Sequence, residues 1–60
     1  MNRYYIIVYG KNKDNIDGLV SIKLEYTVAD TSFIRAMEQG IFLANYDGMN
    51  DIHRIEIFRQ

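Results

Sequence analysis

Few residues of this chain have a type and spacing suited to catalysis or to metal binding. His53 is the only histidine among 60 residues, and there is no cysteine. A zinc site needs several nitrogen or sulfur ligands, and a catalytic histidine needs a nucleophile arranged beside it. The sequence supplies neither set, so we expect His53 to be a half-exposed residue of a strand.

Four aspartates fall in segments that we expect to be loops, which raises the question of calcium binding. They are Asp14, Asp17, Asp47 and Asp51. Their spacing does not match the calcium-loop pattern, and no glutamate follows at the required distance. Aspartate is a common turn residue, so we predict turns here and no metal or other cofactor. Phosphate-binding glycine loops and nucleophile motifs are also missing, which indicates a protein that is not an enzyme.

Aromatic and basic side chains alternate in two parts of the chain, and this pattern can serve nucleic-acid binding. The residues are Arg3, Tyr5, Tyr9, Lys11, Lys13, Arg54, Phe58 and Arg59. Open sheets hold single strands by stacking bases on such rings. However, the sequence lacks the RRM signature, and seven basic against eight acidic residues give a net charge of −1. A protein that binds a phosphate backbone is usually basic, so we treat binding of single-stranded nucleic acid as the alternative function and not as the first one.

The first element is a strand over about residues 3–10 with apolar side chains on both faces. Tyr4, Ile6 and Val8 share one face, and Tyr5, Ile7 and Tyr9 share the other. Such a strand belongs in the centre of a sheet. A turn-rich segment, residues 11–18, follows it.

The alternating pattern of residues 19–29 predicts a second strand with one buried and one solvent-exposed face. Its apolar positions are Val20, Ile22, Leu24, Tyr26 and Val28. A helix then starts at one of three good N-caps, Asp30, Thr31 or Ser32, and runs to about Tyr46, where Asp47-Gly48 stops it. The helix stripe expected to face the sheet is Phe33, Ala36, Met37, Gly40, Ile41 and Ala44.

Gly40 lies in the middle of this stripe, where it indicates either a close approach of the helix to the sheet or a kink. The last strand covers about residues 52–59. Alternation places His53, Ile55 and Ile57 on one side of it, and Arg54, Glu56 and Phe58 on the other.

These elements predict one α+β domain over residues 1–60, with a ββαβ layout. Placing the doubly apolar strand in the centre gives a three-stranded antiparallel sheet of order 2-1-3 with the helix packed on one face. We expect Tyr5, Ile7, Tyr9 and Phe58 to lie on the uncovered face. A competing interpretation is that half-burial and the stems of Lys23, Glu25 and Arg54 shield these rings.

An uncovered apolar face favours partner binding. We predict a second patch at Phe42 and Tyr46, four residues apart on the outer helix, with an inward swing of Phe42 as the alternative. Arg54, Lys11 and Lys13 would supply rim charge.

A 60-residue chain without cysteine has a small core and no disulfide to stabilise it, which favours oligomerisation. The absence of cysteine also fits a reducing compartment, and the sequence has neither a signal peptide nor a membrane-spanning apolar run, so we expect a cytoplasmic protein.

The hairpin, the single capped helix VADTSFIRAMEQG and the closing strand IHRIEIFRQ together resemble small bacteriophage-encoded proteins that inhibit a host enzyme. The size and element order are similar to those of the RNA-polymerase inhibitor of T7-like phages. The resemblance concerns the layout of the whole chain and assigns no role to an individual residue. It implies a stoichiometric protein-binding inhibitor acting in the host cytoplasm. The alternatives are a single-stranded nucleic-acid-binding module and a homo-oligomeric structural protein, such as a homodimer formed through the open face or an edge strand.

Overall fold

The computed structural model describes residues 1–13 and 20–60, and these form three strands and one helix. The elements are β1 (Asn2–Lys11), β2 (Ile22–Asp30), α1 (Phe33–Tyr46) and β3 (Asp51–Arg59). β1 pairs antiparallel with both other strands, so the sheet order is β2-β1-β3. The predicted ββαβ fold and strand order are confirmed. The expected turns at Asp14 and Asp17, and the start of a strand at Leu19, lie outside the described residues.

The core forms where the helix-facing side of β1 meets α1. Tyr4, Ile6 and Val8 are buried there, and the last two are completely inaccessible. Since successive side chains of a strand point to opposite faces, Tyr5, Ile7 and Tyr9 lie on the side away from the helix. The predicted choice between the two faces of this strand is confirmed.

Two of the three candidate caps, Ser32 and Asp30, stabilise the start of α1 in different ways. Ser32 is the N-cap, and its hydroxyl accepts the Arg35 backbone N–H at 3.3 Å. Asp30 is instead the buried last residue of β2; its carboxylate accepts the Ser32 backbone N–H at 3.0 Å and the Gln39 amide at 2.8 Å. The hydrogen bond from Ser32 lowers the pKa of Asp30, with a smaller contribution from the Arg35 guanidinium.

The end of α1 is a Schellman motif that leads directly into the core. Gly48 has a left-handed φ of 98°, the Gly48 N–H donates to the Asn45 carbonyl at 3.0 Å, and the Met49 N–H donates to the Ala44 carbonyl at 2.9 Å. Met49 follows the glycine and is completely buried. The predicted stop is confirmed, and the same turn supplies a core residue that the strand and helix patterns missed.

Gly40 allows α1 to approach β1 closely. A Cβ atom at this position would lie 2.9 Å from Cγ2 of the buried Ile6, and α1 continues through the glycine without interruption. Of the two predictions for Gly40, the close approach of the helix to the sheet is therefore confirmed and the kink is wrong.

Two predicted core positions of the second strand are wrong: Val20 is 65% exposed and Ile22 is 42% exposed. β2 begins only at Ile22. A helix rises about 1.5 Å per residue and a strand about 3.3 Å. The C-terminal end of α1 lies over Tyr26, because the Tyr26 hydroxyl donates to the Leu43 carbonyl at 3.3 Å. The helix therefore does not extend over the start of β2.

Phe33 also differs from the predicted buried stripe, since it is half exposed. It lies at the first turn of α1, where its ring packs edge-on against Tyr4 with 6.0 Å between ring centroids. Ala36, Gly40 and Ala44 of the same stripe are buried as expected.

A β-bulge lies at His53, which the alternating pattern of the strand did not predict. The pairing of β1 with β3 shifts register between Tyr9 and Gly10, so Tyr9 is opposite Arg54 while Gly10 is opposite Ile52. His53 is the extra residue, and the bulge breaks the simple alternation. Ile55 pairs with the buried Val8 and packs against the core, whereas His53 is exposed and lies 2.9 Å from the Ser21 hydroxyl.

Met49 should make a large contribution to stability because it fills the core at the helix end. We expect Met49→Ala to lower the free energy of unfolding by about 2–5 kcal/mol through the cavity that it leaves. Met49→Leu keeps most of the volume and should cost less than about 1.5 kcal/mol. Urea unfolding of the two variants measures the difference; equal effects would contradict this role.

Tyr26 should make the stability sensitive to alkaline pH. Burial, with the hydrogen bond from its hydroxyl to Asp47, raises the pKa of Tyr26 to about 12. Since the unfolded state ionises first, near its usual pKa of about 10, this stabilisation is complete below pH 10 and is lost as the pH rises towards 12. Tyr26→Phe should therefore reduce the fall in unfolding free energy over this range.

The control for this experiment is Tyr46→Phe, because the Tyr46 side chain is 81% exposed. It should leave the alkaline profile unchanged, as followed by urea unfolding at several pH values. An unchanged profile in Tyr26→Phe would show that the Tyr26 hydroxyl does not carry this dependence.

Candidate protein-binding surface

The side of the sheet away from α1, which we call the open face, is a grid of three residues from each strand. Its members are Tyr5, Ile7 and Tyr9 of β1, Lys23, Glu25 and Thr27 of β2, and Arg54, Glu56 and Phe58 of β3. In the middle row Ile7 is flanked by Glu25 and Glu56. The predicted residues Tyr5, Ile7, Tyr9, Arg54 and Phe58 are therefore brought together on one surface.

At one end of the grid, Tyr5 is fixed by a ring contact and a hydrogen bond. Its ring stacks on Phe58 with 6.3 Å between centroids and 28° between planes. Its hydroxyl donates to the carboxylate of Glu25 on the neighbouring strand. Phe58 remains 51% exposed, so this aromatic pair is accessible.

At the other end, Tyr9 is held in the same way by β3. Its hydroxyl donates to Oε1 of Glu56 at 2.8 Å, and the Arg54 guanidinium lies over its ring, 5.5 Å from the centroid. Arg54 also bonds the second oxygen of Glu56 at 2.7 Å. Ring, carboxylate and guanidinium therefore form one connected group, with a cation–π contact in addition to the ion pair.

These contacts shift the pKa of three groups on the open face. The hydrogen bonds to Glu25 and Glu56 raise the pKa of Tyr5 and of Tyr9, respectively. The Tyr9 hydroxyl, assisted by Arg54, lowers the pKa of Glu56. The carboxyl groups of Glu25 and Glu56 lie on either side of Ile7 at the centre of the grid.

Phe42 and Tyr46 form a separate outer-helix patch. Phe42 is 68% exposed, so the alternative of an inward swing is wrong. Phe42 borders a shallow groove of about 540 Å³ that is also lined by Arg35, Glu38, Gln39 and Leu43. Because α1 covers the other side of the sheet, this patch and the open face point in different directions. One flat partner surface cannot contact both.

Lys11 and Lys13 lie at the end of the sheet beyond Tyr9. Lys11 is paired with Asp51 in the β1–β3 register, and the Lys13 ammonium lies 3.9 Å from an Asp51 oxygen. The Lys13 backbone N–H donates to the Asn50 side chain at 2.8 Å. Asp51 therefore offsets part of the basic charge predicted for this rim.

Glu25 and Glu56 are members of the open face that sequence reasoning did not assign to it as binding residues. Alternation alone puts each on the right face of its own strand, but only the register places both beside Ile7. Among residues 1–13 and 20–60 no group of three histidine or acidic side chains is placed to hold a metal ion. No helix in these ranges has the length and apolar character needed to cross a membrane.

Comparison with protein-family models, with curated proteins and with solved structures gave no match for this chain. Its function therefore has to be argued from the geometry of its own surfaces.

The hydrogen bond between Tyr9 and Glu56 predicts a specific effect on a carboxyl titration. Tyr9→Phe removes the donor, so the pKa of Glu56 should rise towards its usual value. Tyr5→Phe is the matched control, since the Tyr5 hydroxyl bonds Glu25 and should leave Glu56 unaffected. Carbon NMR titration of the glutamate carboxyl groups measures both; an equal effect of the two variants would contradict the assigned pairing.

Proposed function

We propose that this protein binds another protein through the open face, as a stoichiometric partner rather than as a catalyst. The observation that carries this proposal is that Tyr5 and Tyr9, which are half-buried as the competing interpretation expected, are each fixed by a carboxylate on an adjacent strand. A ring that is already fixed loses little conformational entropy on binding, and tyrosine supplies a large contact area.

The composition of the open face also supports a protein partner. Ile7 and the Tyr5–Phe58 pair provide apolar contact area, and charged residues of both signs surround them. An apolar centre with a polar rim is the usual anatomy of a protein interface. The partner that fits is a protein with a flat, apolar patch bordered by charges of both signs.

A single-stranded nucleic acid is the second candidate because of the stacked Tyr5–Phe58 pair and the guanidinium over Tyr9. Bases stack on such rings in other open sheets. The carboxylates of Glu25 and Glu56 oppose this candidate, since they lie beside Ile7, where they would repel a phosphate backbone. We therefore place protein binding first.

The similarity in layout to small phage inhibitors supports a further step, in which binding inhibits an enzyme of a bacterial host or of its defence system. The chain has no cysteine, which fits action in a reducing cytoplasm.

Capture from bacterial lysate with tagged variants tests the open face directly. We expect the wild type to retain a protein partner that survives nuclease treatment. The double variant Tyr5→Ser, Tyr9→Ser should lose it, with an affinity for the purified partner lowered by about 100-fold or more if both rings are hot spots. Tyr46→Ser is the matched control, since it removes an exposed tyrosine on the other side of the molecule.

Two outcomes would contradict the proposal, provided that circular dichroism shows the variants to be folded. One is retention of the same partner, with unchanged affinity, by the double variant. The other is loss of every partner on nuclease treatment with tight binding of a single-stranded oligonucleotide that weakens steeply with salt, which would establish the nucleic-acid candidate.

A further inference from the structure

A second surface, separate from the open face, lies where α1 leaves β3 uncovered. The helix packs mainly over β1 and β2. On its β2 side, the Gln39 amide bonds Asp30 and the Leu43 carbonyl accepts from Tyr26. β3 lies on the other side of β1 and receives much less cover from the helix.

The flank of α1 that points away from β2 is apolar. Ile34, Met37 and Ile41 fall three and four residues apart and so share this flank. Ile34 is 60% exposed, and Met37 and Ile41 are only partly buried. Below them, Ile55 and Ile57 of β3 are also only partly buried. We call these five residues the β3 groove.

The outer edge of β3 is free to pair with another strand. β3 is bonded to β1 alone in the described sheet, so its other side presents unpaired backbone N–H and C=O groups. The chain has no proline to block such pairing. An edge strand beside an apolar groove offers both backbone hydrogen bonds and apolar contact area.

The charges on β3 match those of a second β3. If two copies pair antiparallel about a two-fold axis at Ile55, Arg54 of each lies opposite Glu56 of the other. Within one chain these two side chains are 2.7 Å apart. Four charges of alternating sign then form one network across the axis, and the partly buried Ile55 side chains meet at its centre.

We infer that a second copy of this chain occupies the β3 groove, giving a symmetric dimer with a continuous six-stranded sheet. The two α1 helices lie on the same face of this sheet, and their apolar flanks line the space between them together with Ile55 and Ile57 of both copies. Such a dimer enlarges the small core of a 60-residue chain. It also leaves both open faces on the opposite side of the sheet, where they form one extended surface.

The β2 edge does not offer the same fit. Lys23 and Glu25 could also face each other across an axis, but the helix flank above β2 is closed by polar contacts of Gln39 and Asp30. The groove on that side of the helix is lined mainly by polar and charged side chains, Arg35, Glu38 and Gln39, with Phe42 and Leu43. The pairing is therefore assigned to β3.

Sedimentation equilibrium over a range of concentrations, combined with charge variants, tests the dimer. The wild type should approach twice the 7.1 kDa chain mass. Arg54→Glu places like charges at two symmetric contacts and should weaken association by at least about tenfold. Adding Glu56→Arg to that variant restores opposite charges at both contacts and should recover most of the association.

The groove is tested by a matched pair of helix variants with similar exposure. Ile34→Asp should weaken the dimer, whereas Phe42→Asp, on the outer helix, should not. A wild type that stays monomeric at all concentrations, or a dimer weakened by Phe42→Asp and not by Ile34→Asp, would overturn the inference.

A measurement on the wild type alone covers the case in which a variant fails to fold. Amide hydrogen exchange at low and high concentration should show added protection along β3 at high concentration and none along β2. Concentration-dependent protection confined to β2 would also overturn the inference. Arg54 and Glu56 also contact Tyr9, whereas Ile34→Asp and the exchange measurement change no residue of the open face, so these two readouts let the dimer and the proposed partner binding fail separately.

Discussion

The structure depends on one constraint: a single helix can cover only one face of a sheet, while the central strand is apolar on both. β1 resolves this by placing Tyr4, Ile6 and Val8 under α1, where they are buried. Gly40 brings the helix close to Ile6, and the Schellman turn places Met49 in the same core. The second apolar face of β1 therefore remains uncovered by the helix.

The two tyrosines of the open face, Tyr5 and Tyr9, are partly accessible and are also held in place by hydrogen bonds. Each ring presents an apolar surface, while its hydroxyl is held by a carboxylate from a neighbouring strand. The same bonds raise the pKa of both hydroxyls, and the two carboxyl groups lie on either side of Ile7. The two tyrosine side chains of the open face are therefore fixed by contacts within the chain itself.

Local patterns in the sequence were sufficient for much of the fold. The alternation of β1, the three cap candidates including Ser32, and Gly48 each act within a few residues, so they predicted the elements, the strand order and the open face. Features that depend on how distant segments pair could not be predicted from the sequence. The bulge that displaces His53 and the pairing that places Glu56 beside Tyr9 depend on the β1–β3 register, which no short segment encodes. The burial of Met49 had a local signal, since an apolar residue often follows the glycine of a Schellman turn.

The most direct test of the central claim uses the five tyrosines as reporters. The chain labelled with fluorotyrosine would be observed by fluorine NMR in nuclease-treated bacterial lysate, with resonances assigned by single Tyr→Phe variants. The account predicts that the Tyr5 and Tyr9 resonances shift or broaden relative to buffer, while the resonance of Tyr46, which is 81% exposed on the outer helix, stays unchanged. A change at Tyr46 with Tyr5 and Tyr9 unaffected would contradict it and would identify the helix as the binding surface.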